Sequence, residues 1–182
     1  ILTRVTPLVK SLFAEGIVTY QSPSSVLTVQ ALAPHGKAEI LDLCSAPGGK
    51  AVYASALAPE SRLTACDLHP HRAELIKKYA ARMHADNVRA EVRDATVFEP
   101  AYENKFDCVL ADVPCSCFGT YKKHPDVFLQ RGEEAINKLS AVQKRILQNA
   151  ARYLKPDGVL VYSTCTLFSE ENEKNAEYAL TL

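Results

Sequence analysis

The chain has 182 residues, enough for one α/β domain with a full core, and its 47% hydrophobic and 23% charged content is that of an ordinary globular protein. Lysine plus arginine and aspartate plus glutamate both number 21, so the formal charge is zero and no global basic field marks a nucleic-acid partner; any such contact must come from a local face. No run of about 18 apolar residues and no basic-then-apolar leader appears, which argues against a membrane span or a secretory signal. Cys44, Cys66, Cys108, Cys115, Cys117 and Cys165 lie mostly at the ends of apolar runs, which fits reduced thiols in a cytoplasmic protein better than a disulfide scaffold. Because the chain begins at Ile1 rather than Met, it is expected to be a fragment.

Residues 1–38 read as a helical lead-in. Pro7 to Glu15 has apolar residues at helical spacing and stops at Gly16, and a second short helix is predicted over Ser24 to Leu32, capped by Ser24 or Ser25. Residues 39–182 form the domain proper. Strand-like runs at Glu39–Leu43, Arg62–Asp67, Val88–Arg93, Phe106–Asp112 and Val159–Thr164 are separated by helical stretches at Lys50–Leu57, His71–His84 and Ser140–Leu154. That alternation predicts a Rossmann-like α/β fold, a mostly parallel sheet with helices on both faces and ligands at the carboxyl ends of the strands. Asp42, Asp67, Asp94, Asp112 and Cys165 all fall at or just past such ends.

The stretch Asp42-Leu43-Cys44-Ser45-Ala46-Pro47-Gly48-Gly49-Lys50 joins the first strand to a helix. Its glycines let the backbone approach a ligand, and the helix N-terminus offers unpaired N–H groups. Asp67 ends the second strand about 20 residues on, where an acid can accept both hydroxyls of a ribose; it could instead cap the helix starting near Pro70. The loop is not G-x-G-x-x-G, and Lys50 is the only basic residue near it. This favours S-adenosylmethionine over a dinucleotide. Asp94 could hold the adenine amino group.

Two further clusters end strands: Asp112-Val113-Pro114-Cys115-Ser116, and Tyr162-Ser163-Thr164-Cys165-Thr166 followed by Ser169-Glu170-Glu171-Asn172, which reads as a helix start. A carboxylate and two thiols can thus converge on one crevice. Cys44, Cys66 and Cys108 read as small buried hydrophobes. Cys115-x-Cys117 could supply two zinc ligands, but without a second paired motif no metal is expected.

Together the glycine loop, Asp67 with Arg72, the proline-cysteine motif and Thr164-Cys165-Thr166 resemble the RNA cytosine-5 methyltransferases, the Sun/Fmu or NOL1/NOP2-like enzymes. Within them, Gly119 to Val127 with its Lys123-His124-Pro125-Asp126 looks most like the bacterial 16S ribosomal RNA enzymes. The resemblance implies that Cys44, Ser45, Ala46, Pro47, Gly48, Gly49 and Lys50 wrap the cofactor. Asp67 would bind its ribose, with Arg72 alongside, and Asp94 its adenine. Asp112 would lie between the methionine moiety and the target base, with Lys50 as its neighbour. It further implies Cys165 as nucleophile and Cys115 as the residue assisting product release; the residues alone leave open which cysteine attacks. Thiolate addition at C6 makes cytosine C5 nucleophilic enough to take a methyl group. The base must leave its stack, so single-stranded or flipped cytosine in RNA is the expected substrate. Tyr121, Lys122, Lys123, His124 and Arg131 could contact phosphates and bases, or form a solvated loop. Lys144, Arg145 and Arg152 read as a solvated helix face.

Ser22 follows Gln21 where the family usually has an aspartate, and family members carry an N-terminal RNA-binding domain and a final pair of strands. A domain truncated at the C-terminal strands is therefore expected, and transfer RNA methylation or cofactor and RNA binding with little activity are the alternatives to methylation of 16S ribosomal RNA.

Overall fold

A computed structural model describes residues 5–122, 125, 127 and 132–182; Lys123, His124, Asp126 and Arg131, candidates for RNA contact or part of the family-like segment, lie outside the described residues. Strands β1 (Glu39–Asp42), β2 (Arg62–Asp67), β3 (Val88–Val92), β4 (Phe106–Asp112) and β5 (Leu154–Ser163) form one parallel sheet in the order β3-β2-β1-β4-β5. Among the described residues lie helices α1 (Pro7–Ala14), α2 (Pro23–Leu32), α3 (Gly49–Leu57), α4 (Pro70–Arg82), α5 (Glu133–Tyr153) and α6 (Glu173–Ala179), with short 3-10 turns at Pro100–Tyr102 and Phe118–Thr120.

The central strands are apolar on both sides because both sides are covered. Ile40, Leu63, Ala65, Cys108 and Leu110 point to one face, where Val29 and Leu32 of α2, Ala51 and Ala54 of α3 and Ile76 of α4 close over them. Leu41, Cys66, Val109 and Ala111 point to the other, against Ile146, Ala150 and Tyr153 of α5. Helix α2, in the lead-in, thus shares the core of the sheet.

Several boundaries differ from expectation for local reasons. Helix α2 starts one residue early because Pro23 suits the first helical position, and Ser22 rather than Ser24 or Ser25 caps it, its hydroxyl accepting from Ser25 N at 3.2 Å. Helix α5 begins at Glu133, not Ser140; Glu133 and Glu134 occupy its first turn, and Glu134 pairs with Lys138 at 2.7 Å, so charge rather than apolar spacing supports that half. Strand β5 begins at Leu154, which pairs with Phe106 before an irregularity at the turn-like Pro156-Asp157-Gly158. The segment Ser169–Asn172 is turn, not helix, and α6 starts at Glu173.

Candidate active site

The order of the strands puts the change in winding direction between β1 and β4, so the loops after β1, β4 and β5 meet at the carboxyl edge. The β1 loop turns into α3 through a cis Ala46–Pro47 bond and Gly48 at φ +105°, where a Cβ would also come within 3.3 Å of Ile76 Cα. Gly48 is therefore required both by its backbone angle and by the close passage of α4. Ser45 N donates to Cys66 O at 2.8 Å, tying the loop to the end of β2, and Arg72 Nη2 donates to Ala46 O at 3.2 Å.

Asp67 is 3% exposed. Its Oδ1 accepts from His69 N at 3.2 Å and its Oδ2 faces Arg72 Nε at 3.4 Å, so it holds the entry to α4 while the α4 N-cap is His69, which makes no side-chain cap. Asp94 Oδ1 accepts from both N and Oγ1 of Thr96, at 2.8 and 2.7 Å, leaving Oδ2 able to accept. Asp112 links the two sides of the site: Oδ2 pairs with Lys50 Nζ at 2.5 Å, and Oδ1 accepts from Ser163 Oγ at 2.6 Å. Lys50 is thus placed at Asp112.

Cys115 and Cys165 converge, Sγ to Sγ at 3.2 Å. Cys165 N also points at the Cys115 sulfur at 3.2 Å, which makes Cys115 the acceptor. The hydrogen bond from the Cys165 thiol and the backbone bonds from Cys165 and Cys117 hold the Cys115 thiol down to about 6, while that same hydrogen bond to Cys115, then burial and the Cys115 charge, drive Cys165 well above the usual thiol range. Cys165 is exposed and Cys115 buried, so of the two only Cys165 presents its side chain openly to an incoming base. Burial pushes up Cys44, Cys66 (to about 12) and Cys108, as expected of packing thiols.

Two clefts share one wall. A cleft of about 400 Å³ runs from Asp67 and Arg72 past Cys44 and Ala46 to Asp112, Cys115 and Cys165. A second, of about 660 Å³, opens on the other side of Asp112 and Cys165 and is lined by Lys50, Lys122 and the hydroxyls of Ser22, Ser24, Ser25 and Thr28. Asp94 lies outside both linings.

Some residues that hold this arrangement do not stand out in the sequence. Glu171, fully buried, accepts from Ser116 N and Gln143 Nε2, both at 2.9 Å, and from Ser116 Oγ; Ser116 Oγ also bonds Thr166 Oγ1 at 2.6 Å. The Cys115 and Cys165 loops are thereby fastened to one carboxylate. Gln143 sits in the apolar stripe of α5, and a polar residue at a buried helical position is the available signal. At the end of β1, Asp42 is 1% exposed with both carboxylate oxygens unpartnered, and Ser45 Oγ is likewise buried and unpartnered. Burial pushes the Asp42 carboxyl up to about 7.

The parallel sheet, the glycine loop after β1 and the acid closing β2 define a Rossmann-like methyltransferase fold. The chain belongs to the family of 16S rRNA methyltransferases RsmB/F, which matches residues 29–182. It is 38% identical over 164 residues to the probable ribosomal RNA small subunit methyltransferase B of Bacillus subtilis (strain 168), covering 89% of this chain and 37% of that protein. It is 39% identical over 163 residues to ribosomal RNA small subunit methyltransferase B of Photorhabdus laumondii, covering 88% and 37%. The crystal structure of NSun6 from Pyrococcus horikoshii with SFG superposes with a TM-score of 0.83 at 28% identity, covering 99% of this chain and 46% of that one. The chain spans 37% of the length of these curated relatives.

Proposed function

We propose that this chain carries the catalytic machinery of an RNA methyltransferase that moves a methyl group from S-adenosylmethionine to C5 of a cytosine in 16S ribosomal RNA. The observation that carries this reading is the pair of thiols, 3.2 Å apart, on the wall between two clefts. One cleft suits the cofactor and the other the base. The carboxylates of Asp67 and Asp112, which line the first cleft with Cys44 and Ala46 of the glycine loop, fit a polar, partly cationic ligand there. NSun6 was crystallised with an analogue of S-adenosylmethionine, which supports the same cofactor here.

When bound, S-adenosylmethionine supplies an electrophilic methyl on a sulfonium sulfur. Asp67 would accept the ribose hydroxyls with Arg72 steadying its carboxylate, the loop Cys44 to Lys50 would wrap the cofactor, and Asp94, beyond the cleft lining, would take the adenine amino group through its Oδ2. Asp112, neutralised by Lys50 and oriented by Ser163, lines both clefts and would face cofactor and base alike. The Cys165 Sγ–C6 bond forms as the exposed Cys165 thiol gives its proton to solvent. Electron density pushed onto C5 takes up the methyl group. Cys115, held as a thiolate beside Cys165, then takes the C5 proton, which restores the ring double bond and breaks the Sγ–C6 bond, and its proton passes on to the departing sulfur. With zero net charge, phosphate contact falls to local cations, of which Lys122 lines the base cleft.

The test is incubation with labelled S-adenosylmethionine and 16S ribosomal RNA. The wild type should label cytosine C5, Cys165→Ala should not, and Cys115→Ala should accumulate a covalent protein–RNA adduct. Labelling that survives Cys165→Ala would overturn the nucleophile, and labelling of transfer RNA alone would overturn the substrate.

A further inference from the structure

Cys117 has no part in the chemistry above, yet its sulfur joins those of Cys115 and Cys165 in a cluster whose Sγ atoms all lie within 4.8 Å of one another. Among the described residues this is the one group of three or more histidine, cysteine or acidic side chains with metal-ligand geometry. We propose that the three thiols form a site for a thiophilic cation, Zn²⁺ or its chemical like, whose occupancy ties up the reactive pair. Three thiolates bound to zinc at about 2.3 Å stand about 3.8 Å apart. The Cys115–Cys165 distance of 3.2 Å and the 4.8 Å limit bracket that value, so small side-chain rotations bring all three onto one ion. The backbone assists: Cys117 is held at φ +64°, a left-handed conformation unusual for a residue with a Cβ, and its sulfur turns back to lie 3.3 Å from Cys115 O. The exposed Cys165 side leaves a fourth position for water. Cys117 and Cys165 give up their protons to solvent as their bonds to the ion form, Cys115 binds as the thiolate it already is, and no oxidation is involved.

The paired spacing that sequence reasoning requires of a zinc site is absent here, because the third ligand, Cys165, comes from a different strand end far along the chain from Cys117. The site rests on sulfur geometry alone, and only its consequence, a blocked nucleophile, rests on the proposed function.

The experiment titrates the protein, under a non-thiol reductant, with Zn²⁺ by competition against a chromophoric chelator and with Cd²⁺ by its ultraviolet thiolate charge-transfer band. Iodoacetamide labelling read by mass spectrometry runs in parallel. One ion per chain should bind, Cys115, Cys117 and Cys165 should be shielded together, and EDTA should restore their labelling. Cys117→Ser and Cys117→Ala should each weaken binding by about 100-fold or more, while Cys108→Ala, outside the cluster, should bind like wild type. Absence of one-to-one binding, wild-type affinity in Cys117→Ser, or equal loss in Cys108→Ala would overturn the site. Inactivity toward ribosomal RNA in metal-free buffer would refute the function instead and leave the binding readouts standing.

Discussion

Asp42 is a carboxylic acid that the fold keeps from ionising at acidic and near-neutral pH. Its folded-state pKa of about 7 stands above the ordinary 3.8, first because burial disfavours the charge and then because Asp112 lies near. Between these values the folded protein holds a proton that the unfolded chain has released. The resulting stability is complete below about pH 4 and is lost as the pH rises to about 7. At 1.36 kcal/mol per pH unit, the change from pH 5 to 8 is roughly 2–3 kcal/mol. Asp42→Asn removes the titration and should flatten the denaturant-derived stability curve by that amount over this range; parallel curves for the two proteins would refute it. At Glu171 a different substitution tests the polar network. Glu171→Gln turns an amide donor toward one of three donors that now share the carboxylate, and should cost about 1–3 kcal/mol. Because Ser116 supplies two of those donors, Ser116→Ala should be far less damaging when combined with Glu171→Gln than in wild type. Additive losses would mean that the two residues do not act as a unit.

At the scale of elements, the proposed chemistry depends on the loop after β4 meeting the loop after β5, and Gly119 sets that contact. Its N–H donates to Cys165 O at 2.9 Å, and a Cβ there would fall 2.8 Å from the same oxygen. Backbone cannot yield as a side-chain tip does, so Gly119→Ala should displace Cys165 and lower methyl transfer on the order of 100-fold while the melting temperature moves little. Unchanged kcat would show that the contact does not position the thiol. Neighbouring elements differ in how plainly the sequence announces them. Strands β2 and β4 match their predicted bounds because a two-sided core needs runs that are mostly apolar, residues 63–66 around one threonine and residues 108–111, and in each an aspartate closes the strand. The first half of α5 and the start of β5 escape a reading by apolar spacing, because ion pairs and a turn-like Pro156-Asp157-Gly158 mask regular structure. The same divide runs through the site. Asp67, Asp112, Cys115 and Cys165 are reactive types at strand ends and stand out, whereas Glu171 looks like a helix-start acid until burial is known. Cys117 reads only as half of a pair with Cys115, since spacing along the chain does not register a partner on another strand.

At the scale of the molecule, the proposed cofactor cleft is built from the carboxyl ends of strands on both sides of β1, and α2, α3 and α4 close the sheet face beneath it. A ligand there bridges segments that unfolding would separate, so binding and folding are linked by mass action. S-adenosylhomocysteine, the demethylated cofactor, at 100 times its dissociation constant should stabilise the fold by about 2.7 kcal/mol. A rise of several degrees in melting temperature should accompany this for a domain of this size. Asp67→Ala removes the proposed ribose acceptor but also the Arg72 pair and the bond from His69 N, so the bare protein should melt somewhat lower. The decisive quantity is the ligand-induced shift relative to each protein's own baseline. At the same ligand concentration Asp67→Ala should show a much smaller shift, and a full shift should return only at higher concentration. An undiminished shift would separate the cofactor from Asp67 and leave that carboxylate as a brace for the entry to α4.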